Sequence, residues 1–171
     1  MQVNRCPTAP VAPWKTLPAT TQNVRVNTEN ERSSRDWLPK TGFQLRKAGV
    51  RFDAVRVDGA DGRRLADMMD SITAGDPGPI VTESNRCRAV YFYLPAGSTA
   101  HRVWAPGVTR FNSVSGTVSY VPVPALSGDT WPLFWYCPPS NPDRFVHPAI
   151  LRNAAAALFG HPMSFAGEDG R

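Results

Sequence analysis

Cysteine is scarce and poorly spaced for chemistry: the chain has three, Cys6, Cys87 and Cys137. An odd count without a CxxC pair supports neither a disulfide framework nor a zinc site, and it fits a reducing setting, expected here to be the cytoplasm. Histidine is equally rare at three residues, and no HxH or HExxH pair arises from them, so no built-in zinc centre is expected. No apolar run approaches the roughly 18 residues a membrane helix needs, and the first residues lack the charged-then-apolar pattern of a leader peptide. No membrane is therefore expected as a partner. The spacing of Gly59, Gly62, Gly75 and Gly78 is no dinucleotide fingerprint, and there is neither a P-loop nor an internal repeat.

Lysine is nearly absent too, with three against sixteen arginines. The planar arginine fork suits bidentate phosphate recognition. A net charge of +5 and an isoelectric point near 9.5 are compatible with nucleic-acid or nucleotide binding, and equally with a solvated basic face. From Arg86 to Arg110 there are four arginines and no acid. The 171 residues, 42% of them hydrophobic and 19% charged, suffice for one globular domain with a real core. Seventeen prolines, spread along the chain, punctuate many short elements.

Residues 1–23 read as a poorly ordered Pro/Thr/Ala-rich arm carrying Trp14, and residues 163–171 as a frayed tail; the domain is expected over 24–162. A short serine-capped helix is possible before Trp37, ended by Pro39. Phe43–Arg46 and Phe52–Val57 alternate as strands, with Gly49 as a turn residue between them. Leu65, Met68, Met69 and Ile72 fall at i, i+3, i+4 and i+7, one apolar helix face over 62–74, with Asp61 as cap and Gly75 as stop. The run from Gly78 to Gly97 reads as two strands joined by a polar turn, and Ala89–Leu94 is the central strand. Residues 97–104 read as a loop or a short helical turn. Gly116–Pro124 is a strand whose prolines suit a sheet edge, and Trp131–Tyr136 is a last aromatic strand. Pro148 opens a final helix, ended by Gly160 and Pro162, with His147 and His161 serving its ends. The order of elements is that of an α+β fold: one compact domain, a mixed or antiparallel sheet packed by helices.

Few constellations can carry chemistry. Asp53, Asp58 and Asp61 cluster around the end of the second strand, where carboxylates could hold Mg²⁺ with a nucleotide's phosphates. A turn acid and a helix cap explain them more simply. Ser98 and His101 resemble a nucleophile and base, but no acid stands near to orient the imidazole. The set worth keeping is Arg56, Arg86, Arg88, Arg102 and Arg110 with Tyr91, in which arginines for phosphate are interleaved with aromatic residues for base stacking.

The succession Thr41-Gly42-Phe43-Gln44-Leu45, Gly49, Phe52-Asp53-Ala54-Val55-Arg56-Val57-Asp58, Arg86-Cys87-Arg88-Ala89-Val90-Tyr91-Phe92 and Gly116-Thr117-Val118-Ser119-Tyr120-Val121-Pro122 resembles the bifunctional DNA primase/polymerase (prim-pol) domain, and more closely its small actinobacterial members. The likeness covers residues 40–159 and rests on the order of patterns. It implies the primase-type α+β fold. It also implies two metal-binding aspartates where this chain has Arg56 and Asp58, a phosphate-binding histidine where it has Ala89, and a further aspartate near Ser113. Nucleotidyl transfer needs metal-bound carboxylates. The expectation is thus a prim-pol-like protein without catalysis or resident cofactor, binding DNA, RNA or nucleotide. Two alternatives stay open: an adaptor with a protein partner, and an active Mg²⁺-dependent primase/polymerase whose metal site is built from Asp53, Asp58 and Asp61.

Overall fold

A computed structural model of the chain describes residues 37–85, 87–114 and 118–160. The expected arm, the helix before Trp37, Arg86, Gly116, His161, Pro162 and the tail lie outside the described residues. The elements run β1 (Phe43–Lys47), β2 (Phe52–Val57), α1 (Gly59–Ile72), β3 (Ile80–Glu83), β4 (Val90–Pro95), β5 (Val108–Phe111), β6 (Tyr120–Pro124), β7 (Leu133–Cys137) and α2 (Pro148–Phe159). Five strands form one sheet in the order β5-β2-β4-β3-β7, while β1 and β6 make a separate two-stranded ribbon. Every pairing is antiparallel.

The five-stranded sheet is covered on both faces. Val55, Val57, Ile80, Val90, Phe92 and Leu94 pack against Leu65, Ala66 and Met69 of α1 and Leu151, Ala154 and Ala155 of α2. On the opposite face Phe52, Ala54, Val81, Tyr91 and Tyr93 pack against Trp37 and against Val121 and Val123 of the ribbon. A strand buried on both sides has no polar face to alternate with, which is why β4 reads as an unbroken apolar run. It sits in the middle of its sheet, as its composition led one to expect.

Several boundaries differ from the sequence expectation, each for a local reason. Helix α1 begins at Gly59 rather than 62, and its N-cap is Asp58 in place of Asp61. Its buried face is narrower than the apolar spacing implies, since Ile72 is 55% exposed. At its end Thr73 caps through both its N–H and its hydroxyl, each donating to the Met69 carbonyl. β5 was not foreseen: its sequence, Val-Thr-Arg-Phe, has too few apolar residues to stand out from a loop. β6 starts at Tyr120, and β7 at Leu133, after Trp131 and Pro132. β1 and β2 are neighbours in sequence but do not pair; Gly49, at φ 81°, turns the chain out of the ribbon into the sheet. For α2 the expectation holds: His147 accepts the Ile150 N–H at its start and Gly160 closes it at φ 69°.

Gly62 is fixed by close packing where α1 crosses the sheet. A Cβ there would lie 2.4 Å from the Val57 carbonyl oxygen and 2.9 Å from a Val90 methyl. Replacing glycine by alanine inside a helix ordinarily gains about 0.5–1 kcal/mol. Gly62→Ala is expected to cost about 1–3 kcal/mol instead, because the backbone cannot yield as a side chain would. A lowered midpoint in urea or thermal unfolding checks this.

Candidate functional site

The end of β2 carries the densest polar arrangement. Arg56 and Asp58 are two residues apart, so both side chains leave the strand on the ribbon side. Arg56 donates from Nε to Asp58 Oδ1 at 2.6 Å and from Nη2 to Oδ2 at 2.9 Å. That two-pronged pairing raises the guanidinium's pKa above its ordinary value, against partial burial, which acts the other way. It also takes Asp58 away from its helix: the N-cap of α1 makes no side-chain hydrogen bond to the first turn. Gly59, at φ 68°, bends the strand into the helix in a left-handed conformation that glycine adopts without strain.

The β3–β4 turn is fastened to this junction. Gly59 N–H donates to the Cys87 carbonyl at 3.2 Å. Within the turn, Asn85 Oδ1 accepts the Cys87 N–H and the Asn85 carbonyl accepts the Arg88 N–H. Arg88 itself has a φ of 47° and is exposed. Glu83 closes the group, accepting from the Asn85 amide and from the Tyr91 hydroxyl at 3.0 Å. Burial pushes the Tyr91 phenol well above its ordinary pKa, and the Glu83 carboxylate pushes the same way. Glu83 and Asn85 were not singled out from sequence. Pairing Val81 with Tyr91 across the hairpin makes Glu83 a diagonal same-face neighbour of Tyr91, so a register assignment would have found it.

The predicted arginine set does not converge. Arg56 stands opposite Tyr91 and Thr109 on the ribbon side, whereas Arg110 stands opposite Val55 on the helix side. Arg110 Nη1 reaches back to the carbonyls of Arg102 at 3.2 Å and Thr99 at 3.5 Å. Arg102 and Arg110 therefore belong with the loop before β5, and Arg56 and Arg88 with the junction; Arg86 lies outside the described residues. Tyr91 is only 6% exposed, so its ring offers no face to a base.

The acids separate as well. Asp53 and Asp58 are five apart on one strand, which places them on opposite faces and roughly 17 Å apart along it. They cannot share an ion, and this corrects the metal site considered from sequence. Asp53 is fully buried. Its Oδ2 accepts from the Thr99 N–H at 2.9 Å and the Thr99 hydroxyl at 2.8 Å, and that hydroxyl accepts from Asn112 Nδ2 at 2.9 Å. The carboxylate is thus a clamp on the loop over residues 97–102. Ala89 is buried beside the junction, while Ser113 lies at the far end of β2, its hydroxyl donating to the Gly49 carbonyl at 3.4 Å. Among the described residues no group of three or more His, Cys, Asp or Glu is placed to hold a metal ion, and no helix is long and apolar enough to cross a membrane.

What the junction offers chemically is a cation, Arg56, with N–H donors beyond the two that Asp58 occupies, beside helix amides that no side chain caps. Both features favour an anion.

Tyr91 and Tyr93 give a pH signature, since burial raises both phenols above their ordinary pKa. A phenol raised in the folded state contributes stability below its unfolded value of about 10, and that contribution is lost as pH rises past it. In an alkaline titration, Tyr91 and Tyr93 should form phenolate only as circular dichroism reports unfolding, and stability should fall above about pH 10.

Compared with known proteins, the chain matches no family model, no curated sequence and no solved structure.

Proposed function

We propose that this chain is a prim-pol-like protein that binds a phosphate-bearing ligand, a nucleotide or a nucleic acid, at the β2–α1 junction without nucleotidyl transfer. The observation that carries this reading is the Arg56–Asp58 pair. The sequence resemblance implies two metal-binding carboxylates at those positions. Here one is a guanidinium that repels Mg²⁺, and the other is already neutralised by it. The same pair draws Asp58 off the helix N-terminus, leaving amides and a positive end of the helix dipole beside a bidentate phosphate donor. Arg63, Arg64 and Arg88 are exposed nearby in the chain. Of these, Arg64 is paired with Asp61.

A polarisation assay with labelled nucleoside triphosphate and single-stranded oligonucleotides tests this. Salt-sensitive binding in the micromolar range is expected, falling by about tenfold in Arg56→Ala, the loss typical of one charge-assisted contact. The same substitution releases Asp58 to cap α1, so its melting temperature should hold or rise while affinity drops. Absence of salt-sensitive binding would sink the proposal. Mg²⁺-dependent primer synthesis abolished by Asp58→Ala would replace it with the polymerase reading.

One observation favours a protein adaptor as the second reading: Trp131 and Phe134, 67% and 45% exposed, stand at the β7 edge of the sheet. A partner bound there would stay bound at high salt and be lost in Trp131→Ser, with phosphate binding unchanged.

A further inference from the structure

The ribbon has a solvent face that neither the core nor the β2–α1 junction uses. In its register Phe43 pairs with Pro124, Leu45 with Pro122 and Lys47 with Tyr120, and these six side chains share one side, Pro124 alone among them being buried. The intervening residues Val121 and Val123 are wholly buried against the sheet, and Arg46 turns inward, donating from Nε to the Trp37 carbonyl at 3.2 Å. On the outer side Phe43 is 46% exposed, Leu45 63% and Tyr120 55%. Strands that bury alternate residues normally present polar ones to water. This ribbon presents two aromatic rings with a leucine between them.

The two strands of the ribbon carry cations and no acid. No acid occurs from Trp37 to Phe52, nor from Ser84 to Gly128. The cations there include Lys40 in the turn entering β1 and Lys47 directly opposite Tyr120. A second copy of the chain laid face to face would set lysines against lysines. A polyanion with flat apolar faces meets both features at once. Single-stranded nucleic acid is such a ligand, because its bases are free to stack on rings while its phosphates meet the lysines. A duplex keeps its base faces hidden.

We propose that the outer face of the β1–β6 ribbon binds single-stranded nucleic acid, with Tyr120 and Phe43 as stacking platforms and Lys47 and Lys40 as phosphate contacts. This site is separate from the β2–α1 junction, and either can exist without the other.

The test is anisotropy of the full chain with labelled oligo-dT, oligo-U and a duplex of equal length. Both single strands should bind, the duplex more weakly, and a difference between dT and U separates DNA from RNA as the preferred ligand. Tyr120→Ala and Phe43→Ala should each weaken binding on the order of tenfold, while Tyr120→Phe, which keeps the ring, should not. Lys47→Gln should reduce the slope of log affinity against log salt by about 0.7, one phosphate's share for a single strand. Tyr120 and Lys47 are exposed, so melting curves of their variants should match the parent. Nucleoside triphosphate binding, the probe of the junction, should be unchanged in the ribbon variants. The proposal is overturned if oligonucleotide affinity ignores both aromatic substitutions, if it falls only in Arg56→Ala, if the duplex binds equally well, or if the ribbon variants alter the sedimenting mass instead, which would assign the face to self-association.

Discussion

Burial of β2 and β4 on both faces is the constraint from which the rest of the molecule follows. A sheet needs something on each side, and here helices fill one side and a ribbon the other. Tyr93 shows how the second attachment is made. Its ring, wholly buried, packs 5.2 Å from Phe52, 5.6 Å from Trp37 and 6.0 Å from Trp135, centroid to centroid. Its hydroxyl donates to the Pro122 carbonyl at 2.7 Å. One residue of the central strand therefore joins the sheet, the ribbon and Trp37. Proline is tolerated in β6 because the ribbon has only one partner strand to satisfy.

This arrangement leaves two kinds of surface. Toward the end of β2 polar groups join the ribbon-side face: Arg56, the Tyr91 hydroxyl and Glu83 continue the row that Ala54 and Tyr93 begin. On the ribbon's far side the alternation of its strands has no second layer to bury against. The first surface is held by directed hydrogen bonds and the second is an open platform, and that contrast underlies the different ligand chemistry assigned to each.

The strongly patterned elements were legible from sequence because their signals are local. The spacing of Leu65 and Met69, the run from Val90 to Leu94, and Pro148 with Gly160 all declare themselves within a dozen residues. What was not legible depends on partners distant in the chain. β5 exists because Val57 and Val55 offer it an edge, not because Val-Thr-Arg-Phe prefers a strand. Asp61 looked like the better cap because nothing local reveals that Gly59 bends the chain a turn earlier. At the site, the sequence resemblance drew attention to Arg56 and Asp58 as positions, but not to the ion pair they form. The scatter of Arg102 and Arg110 to the other face followed from a register that one sequence does not print. Thr99 as the partner of Asp53 was equally hidden, since 46 residues separate them.

The Asp53–Thr99–Asn112 clamp has a bearing on how the molecule behaves in a crowd. β5 is an outer strand with pairing groups on only one side satisfied, the sort of edge along which like molecules can polymerise. Its brevity, and the Arg110 side chain folded back onto the loop that Asp53 holds, make that edge short, charged and irregular. By holding Thr99, whose carbonyl receives the Arg110 side chain, the buried Asp53 therefore shapes the β5 edge from within.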